Sequence, residues 1–198
     1  MKIAVDCDEV LAGLLEKFIM FHNREYGTSL SRKDFHSYYL RGIIGITFDE
    51  EKKRFSHFLR TDYFRSIQPI LHAKETLGNL RGMGFEMEVV TSRPPEMIDS
   101  THDWIWMHYK GIFSKVHFSE NHALRTGGKT KGEICHEIGA DFMIEDDLKY
   151  IPDITLRGIK VLLYDAPWNR NYQQENVVRV NSWKDIEKYL VTSRQVQV

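Results

Sequence analysis

The chain has 198 residues, room for one sizeable core with a small insertion. Lys plus Arg (27) nearly balance Asp plus Glu (28), which argues against broad electrostatic binding to polymeric nucleic acid. No apolar run approaches the ~20 residues of a membrane helix, and Cys7 and Cys135 form no CxxC pair or disulfide framework, so a soluble protein of a reducing, cytoplasmic compartment is expected.

The first segment, "IAVDC", reads as a strand buried on both faces, and Met1 and Lys2 lead directly into it, which predicts no targeting segment. "LAGLLEKFIMFHNREYG" follows as an amphipathic helix, with Leu11, Leu14, Leu15, Phe18, Ile19 and His22 on its apolar stripe and Gly27 as its stop. Residues 31–66 read as further helix, broken near Arg41–Gly45, and its clearest piece, "FDEEKKRFSHFLR", takes Asp49 as a cap.

After Pro69 the pattern alternates. "AKETLGNLRGMG" reads as helix, "FEMEVVTS" as strand, "EMIDSTHDWIWMHYK" as helix and "KVHFS" as strand. In the second of these helices Trp104, Ile105 and Met107 are expected in the core. "KTKGEICHEIG" is helix, "ADFMIED" strand, 147–151 a short helix, "IKVLLYD" strand, "NVVRV" strand and "SWKDIEKYLV" a last helix. Strands alternating with helices predict an α/β fold with a doubly wound, Rossmann-like parallel sheet, and the helical stretch after the first strand is then an insertion. The expected division is a core of 1–12 with 73–198 and a small helical cap of 13–72.

In open α/β sheets ligands bind outside the carboxyl ends of the strands. Here those ends carry Asp6, Cys7 and Asp8; Thr91, Ser92 and Arg93; Ser119, Glu120 and Asn121; and Glu145, Asp146 and Asp147. Crowded carboxylates raise one another's pKa and cost energy, a penalty that a bound divalent cation removes, and oxygen-only ligands favour Mg²⁺. Such an ion attracts a phosphate, hydroxyls and a lysine complete its binding, and a carboxylate facing phosphorus can act as nucleophile. Cys7, between the two acids, points to the other side by period-two geometry and reads as a buried small hydrophobe.

"DCDEVL" at 6–11, Thr91 in "VVTSRP", a lysine ahead of "GADFMIEDD" and the acidic pair within it together resemble the four motifs of haloacid dehalogenase (HAD) superfamily phosphatases. Within that superfamily "TDYFRSIQPI" and "VLLYDAPWNRN", followed by "RVNSW", are similar to the 5'(3')-deoxyribonucleotidase group. The resemblance implies a HAD-like fold and a Mg²⁺-dependent phosphomonoesterase working through an aspartyl-phosphate. Asp6 would be the nucleophile, and Asp8 the acid that protonates the leaving oxygen and then activates water. Asp6, the Asp8 backbone carbonyl and Asp146 would hold the metal, Thr91 and Ser92 the phosphate, and Glu145 would support the ligands from behind. The motif lysine is Lys131 or Lys129, with Lys131 favoured because it begins the helix directly before the fourth strand.

The implied partner is a small phosphate ester, a nucleoside monophosphate, with Phe18, Tyr63 and Phe64 as cap residues facing it. Tyr38 and Tyr39 are further aromatics of the cap, although Leu14 stands where deoxyribonucleotidases carry an aromatic. Two rivals stay open: a phosphatase of the same chemistry on another small phosphate ester, and a phospho-aspartate receiver domain. Receivers place adjacent acids after their first strand, whereas this chain spaces Asp6 and Asp8 by two. "TGGKTKG" has Ala123 where a P-loop needs its first glycine. Oligomeric state stays open, a homodimer included.

Overall fold

A computed structural model of the chain describes residues 1–37, 39–120 and 127–196. Its centre is a parallel sheet built from β1 (Lys2–Val5), β2 (Glu86–Thr91), β3 (Val116–Phe118), β4 (Phe142–Glu145), β5 (Lys160–Tyr164) and β6 (Val177–Val180), in the order β3-β2-β1-β4-β5-β6. β1 pairs with β2 through Val5 opposite Val89, and with β4 through Val5 opposite Ile144. Both neighbours run parallel, so both faces of β1 must be covered, and Ile3, Ala4 and Val5 are completely buried.

Helices supply that cover. α1 (Leu14–Tyr26), α2 (Arg41–Ile44), α3 (Phe48–Phe58) and α4 (Asp62–Arg65) lie between β1 and β2 in the chain. α5 (Ala73–Gly82), α6 (Ile98–Tyr109), α7 (Lys131–Glu137), α8 (Ile151–Leu156) and α9 (Trp183–Val196) are the crossovers and the closing helix. The strand order reverses direction between β1 and β4, and the crevice at their carboxyl ends is where this topology places ligands.

The loop after β1 is fastened from three sides. The Val10 carbonyl accepts from Trp183 Nε1 at 3.0 Å, and the Leu11 carbonyl accepts from the Tyr109 hydroxyl at 3.0 Å and from Ile70 N–H at 2.8 Å. These aromatics bury their rings and satisfy their polar tips on loop carbonyls. Leu11 and Ala12 both donate to the Cys7 carbonyl, so the chain turns there and α1 begins at Leu14, three residues later than the apolar stripe suggests.

Other local expectations need correcting. Thr47 caps α3, its hydroxyl accepting from Glu50 N–H at 3.2 Å, and Asp49 sits in the first turn. The short helix expected at 147–151 starts at Ile151. The expected break near Arg41–Gly45 contains α2, which Gly45 ends in a left-handed conformation (φ 69°). Met107 is exposed beside Trp106, because Thr101, Trp104, Ile105 and Tyr109 already form the inward face of α6.

Candidate active site

Asp6 leaves β1 into a buried charge cluster. Lys131, at the start of α7, places Nζ 2.8 Å from Asp6 Oδ1 and donates to Glu145 Oε2 at 2.6 Å. The other Glu145 oxygen, Oε1, accepts from the backbone N–H groups of Asp146 and Asp147, both at 3.0 Å. This fixes the turn after β4 and aims Asp146 toward Asp6. One carboxylate oxygen from each of Asp6, Glu145 and Asp146 lies within 4.8 Å of the others.

One lysine does not balance three carboxylates. Burial, then the Glu145 charge, push Asp6 up to about 7, with Lys131 pulling the other way. Burial and the charges of Glu145 and Asp6 hold Asp146 well above the usual carboxylate range. Burial would lower Lys131, but Asp6 and Glu145 reverse that and raise it. Asp146 Oδ2 accepts from Trp168 Nε1 at 3.1 Å, while its buried Oδ1 has no hydrogen-bond partner among the described residues. An unsatisfied oxygen beside two more carboxylates is a donor set compatible with a hard divalent cation.

Asp8 faces another cation. Arg93 Nη2 donates to Asp8 Oδ1 at 2.6 Å and Arg93 Nε to Oδ2 at 3.0 Å, a two-point contact. Between the two acids Cys7 is fully buried, and burial pushes its thiol far up, so it is an inert packing group. Thr91 is buried at the end of β2, and its hydroxyl accepts from Arg93 N–H at 3.3 Å. Ser92 Oγ accepts from the Tyr150 hydroxyl at 2.6 Å, and Lys131 Nζ lies 4.2 Å from the Tyr150 ring centroid.

Beyond Asp8, Ser92 and Arg93 a cavity of about 190 Å³ opens between the strand ends and the inserted helices. Leu14, Leu15 and Phe18 of α1, and Phe48 and Phe55 of α3, give it an apolar wall. Phe18 packs edge-on against Phe58 at 5.3 Å, so its ring is held from behind. Arg32 ties this region to the sheet: it pairs with buried Glu9 at 2.5 Å and lies over the Trp168 ring. Glu9 has a left-handed backbone (φ 59°), and its other oxygen accepts from Leu15 N–H at 2.7 Å. That bond satisfies an orphan donor of α1.

The structure thus brings Asp6, Glu145, Asp146 and Lys131 together, with Asp8, Thr91 and Ser92 beside them. Lys129 instead pairs with Glu137 at the surface, 2.7 Å away. Phe18 reaches the cavity; Tyr63 lines a separate surface depression with Arg24, and Phe64 packs on Phe58. Tyr38, Asn121 and Ala123 lie outside the described residues. Sequence reasoning assigned no site role to Glu9, Trp168 or Asn169, yet Trp168 and Asn169 both bond Asp146. Two side-chain donors placed just after the strand neighbouring the acidic pair were the available signal.

Solved structures share this architecture. A haloacid dehalogenase-like hydrolase from Streptococcus pneumoniae matches with a TM-score of 0.65 at 14% identity, over 96% of this chain and 97% of that one. The HAD hydrolase YfnB from Bacillus subtilis, solved bound to magnesium, matches with a TM-score of 0.63 at 15% identity, over 96% and 97%. Fold and site define a HAD-type hydrolase of phosphate monoesters. More particularly, the chain belongs to the 5' nucleotidase, deoxy (Pyrimidine), cytosolic type C (NT5C) family, whose model matches residues 1–196. It is also similar to the 5'(3')-deoxyribonucleotidase of Bacillus subtilis (strain 168), 26% identical over 191 residues, covering 96% of this chain and 98% of that protein. Among the described residues no helix is long and apolar enough to cross a membrane.

Proposed function

We propose that the protein is a Mg²⁺-dependent nucleotidase that releases phosphate from (deoxy)nucleoside monophosphates through a phosphoryl group carried on Asp6. The observation that carries this reading is the buried Asp6–Lys131 contact of 2.8 Å, placed next to a cavity floored by Asp8 and Ser92.

Asp6 is the nucleophile. Its Oδ forms a bond to phosphorus as the ester P–O bond breaks, and Asp8 gives its proton to the departing oxygen. Asp8 then takes a proton from water, which attacks phosphorus and frees Asp6 and inorganic phosphate. Lys131 offsets charge on Asp6 and the phosphate, and Thr91 and Ser92 orient the phosphate oxygens. Asp6, the Asp8 backbone carbonyl and Asp146 would hold Mg²⁺, with Glu145 orienting the turn that presents Asp146. A hard cation there neutralises the crowded carboxylates and the incoming phosphate.

Residues 13–72 act as a cap over this centre, excluding water and offering Phe18 and its apolar neighbours to the nucleoside. Tyr63 and Phe64 have no part in that surface. The test is phosphate release over a panel of nucleotides, sugar phosphates and phosphoamino acids, with and without Mg²⁺, for the native chain and Asp6→Asn. Nucleotides should lead the panel, and Asp6→Asn should be silent. Undiminished turnover by Asp6→Asn removes the nucleophile, and a panel led by another ester class removes the nucleotidase reading.

A further inference from the structure

Arg93 is a buried cation, 5% exposed, that the chemistry above does not use. It follows Thr91 by two residues, and its side chain turns to Asp8. Nε donates to both Asp8 oxygens, at 3.0 and 3.2 Å, and Nη2 donates to Oδ1 at 2.6 Å. The third nitrogen, Nη1, donates to Thr101 Oγ1 at 3.1 Å, and that hydroxyl donates to the Met97 carbonyl at 2.6 Å. The planar guanidinium is therefore held at both ends. One end is anchored in α6, itself packed into the core by Trp104 and Ile105; the other grips Asp8.

A two-point contact between planar groups sets the tilt of a carboxyl as well as its distance, which a single charge cannot do. Proton donation to a leaving oxygen depends on that tilt. Asp8 sits on a loop, beyond the end of β1, and Arg93 and Asp8 line the same cavity. We infer that Arg93 is a positioning residue: it grips Asp8 Oδ1, the oxygen that stays an acceptor, and so fixes the plane in which Oδ2, protonated as the substrate enters, serves the leaving oxygen. Thr101 is its anchor. The inference rests on the proposed role of Asp8 as the proton donor.

An ester whose leaving group needs no proton separates this role from a structural one. p-Nitrophenolate leaves unaided, whereas the alkoxide of a nucleoside must be protonated as it departs. The experiment compares a deoxynucleoside monophosphate with p-nitrophenyl phosphate, with Mg²⁺ present, in the native chain, Arg93→Met, Arg93→Lys and Thr101→Val. Rapid-quench measurement isolates the first phosphoryl transfer from the later attack of water.

For Arg93→Met the first transfer from the nucleotide should slow about 100-fold, with KM moved less than about 3-fold and the p-nitrophenolate burst rate lowered by no more than about 3-fold. Arg93→Lys should recover little, since an ammonium cannot copy the fork. Thr101→Val, which keeps the Asp8–Arg93 ion pair and so guards against misfolding of the first variant, should show a smaller loss with the same split between esters. Equal losses on both esters, a rise in KM alone, a faster reaction or no change each overturn the assignment. A native chain that hydrolyses neither ester overturns the nucleotidase reading and this inference with it; a native chain that hydrolyses both, with variants that do not separate them, overturns the Arg93 role alone.

Discussion

Lys131 Nζ lies 2.8 Å from Asp6 Oδ1, with both side chains buried at the carboxyl end of β1. Removing one partner of a buried ion pair is far more costly than the pair itself is stabilising. Lys131→Met should therefore leave Asp6 and Glu145 facing each other without a cation and cost about 3–5 kcal/mol in metal-free protein. Added Mg²⁺ should recover part of that loss, because a second cation can share the same carboxylates. Urea unfolding with and without Mg²⁺ checks the stability, and phosphate release should fall to background in both conditions. Equal stability of variant and native chain would mean that the carboxylates do not depend on the lysine.

The residue after that lysine sets its position. A Cβ added to Gly132 would lie 2.4 Å from Asp153 Oδ2 and 2.6 Å from the Asp153 carbonyl oxygen. Asp153 is not free to withdraw, since it accepts from Gly132 N–H at 2.9 Å and is paired with Arg157. Gly132→Ala should force α7 away from α8, cost about 1–3 kcal/mol by overpacking, and move Lys131 off Asp6. Thermal unfolding and turnover read the two consequences together. A variant with native stability and native turnover would show that the α7–α8 contact yields without disturbing the lysine.

Legibility followed how local each signal is. Period-two alternation along β1 separates Asp6 and Asp8 from Cys7, and the buried strands announce themselves as apolar runs, so the sheet and its acidic edge could be read directly. Lys131 was legible because it opens a helix before β4. Glu9 was not: its role depends on a left-handed backbone and on Arg32, 23 residues away. The Asp8–Arg93 fork joins residues 85 apart, and nothing in "TSRP" says which way the arginine turns. Aromatics of the inserted helices are equally ambiguous in sequence, since Phe18, Tyr63 and Phe64 differ only in which side of the helices they face.

Among the described residues, Trp168 is the donor to the one Asp146 carboxylate oxygen that has a hydrogen-bond partner, at 3.1 Å. Groups that orient a metal ligand from behind are worth about 10- to 100-fold in metal affinity. Trp168→Phe keeps an aromatic ring beneath Arg32 while removing the N–H, together with part of the indole's volume. It should weaken Mg²⁺ binding by about 10-fold or more, seen by calorimetry and as a shifted Mg²⁺ dependence of turnover, with saturating Mg²⁺ restoring most of the rate. An unchanged Mg²⁺ affinity would reduce the indole to a packing group.

His22 gives the inserted helices a pH dependence of their own. Arg54 Nη1 lies 3.0 Å from His22 Nε2, so Nε2 accepts, and Nδ1–H donates to Thr28 Oγ1 at 2.8 Å. Burial first, and the Arg54 charge second, push this imidazole down to about 4. The unfolded chain takes up a proton near pH 6.5 that the folded chain refuses until about pH 4, so stability is complete above about 6.5 and is lost as pH falls through that window. The loss can reach about 3 kcal/mol at its acid end. His22→Gln keeps an acceptor for Arg54 and cannot ionise, so its stability should fall less between pH 6.5 and 4. Urea unfolding of both chains at several pH values, without metal, reads the difference, and parallel acid slopes would show that His22 does not carry it.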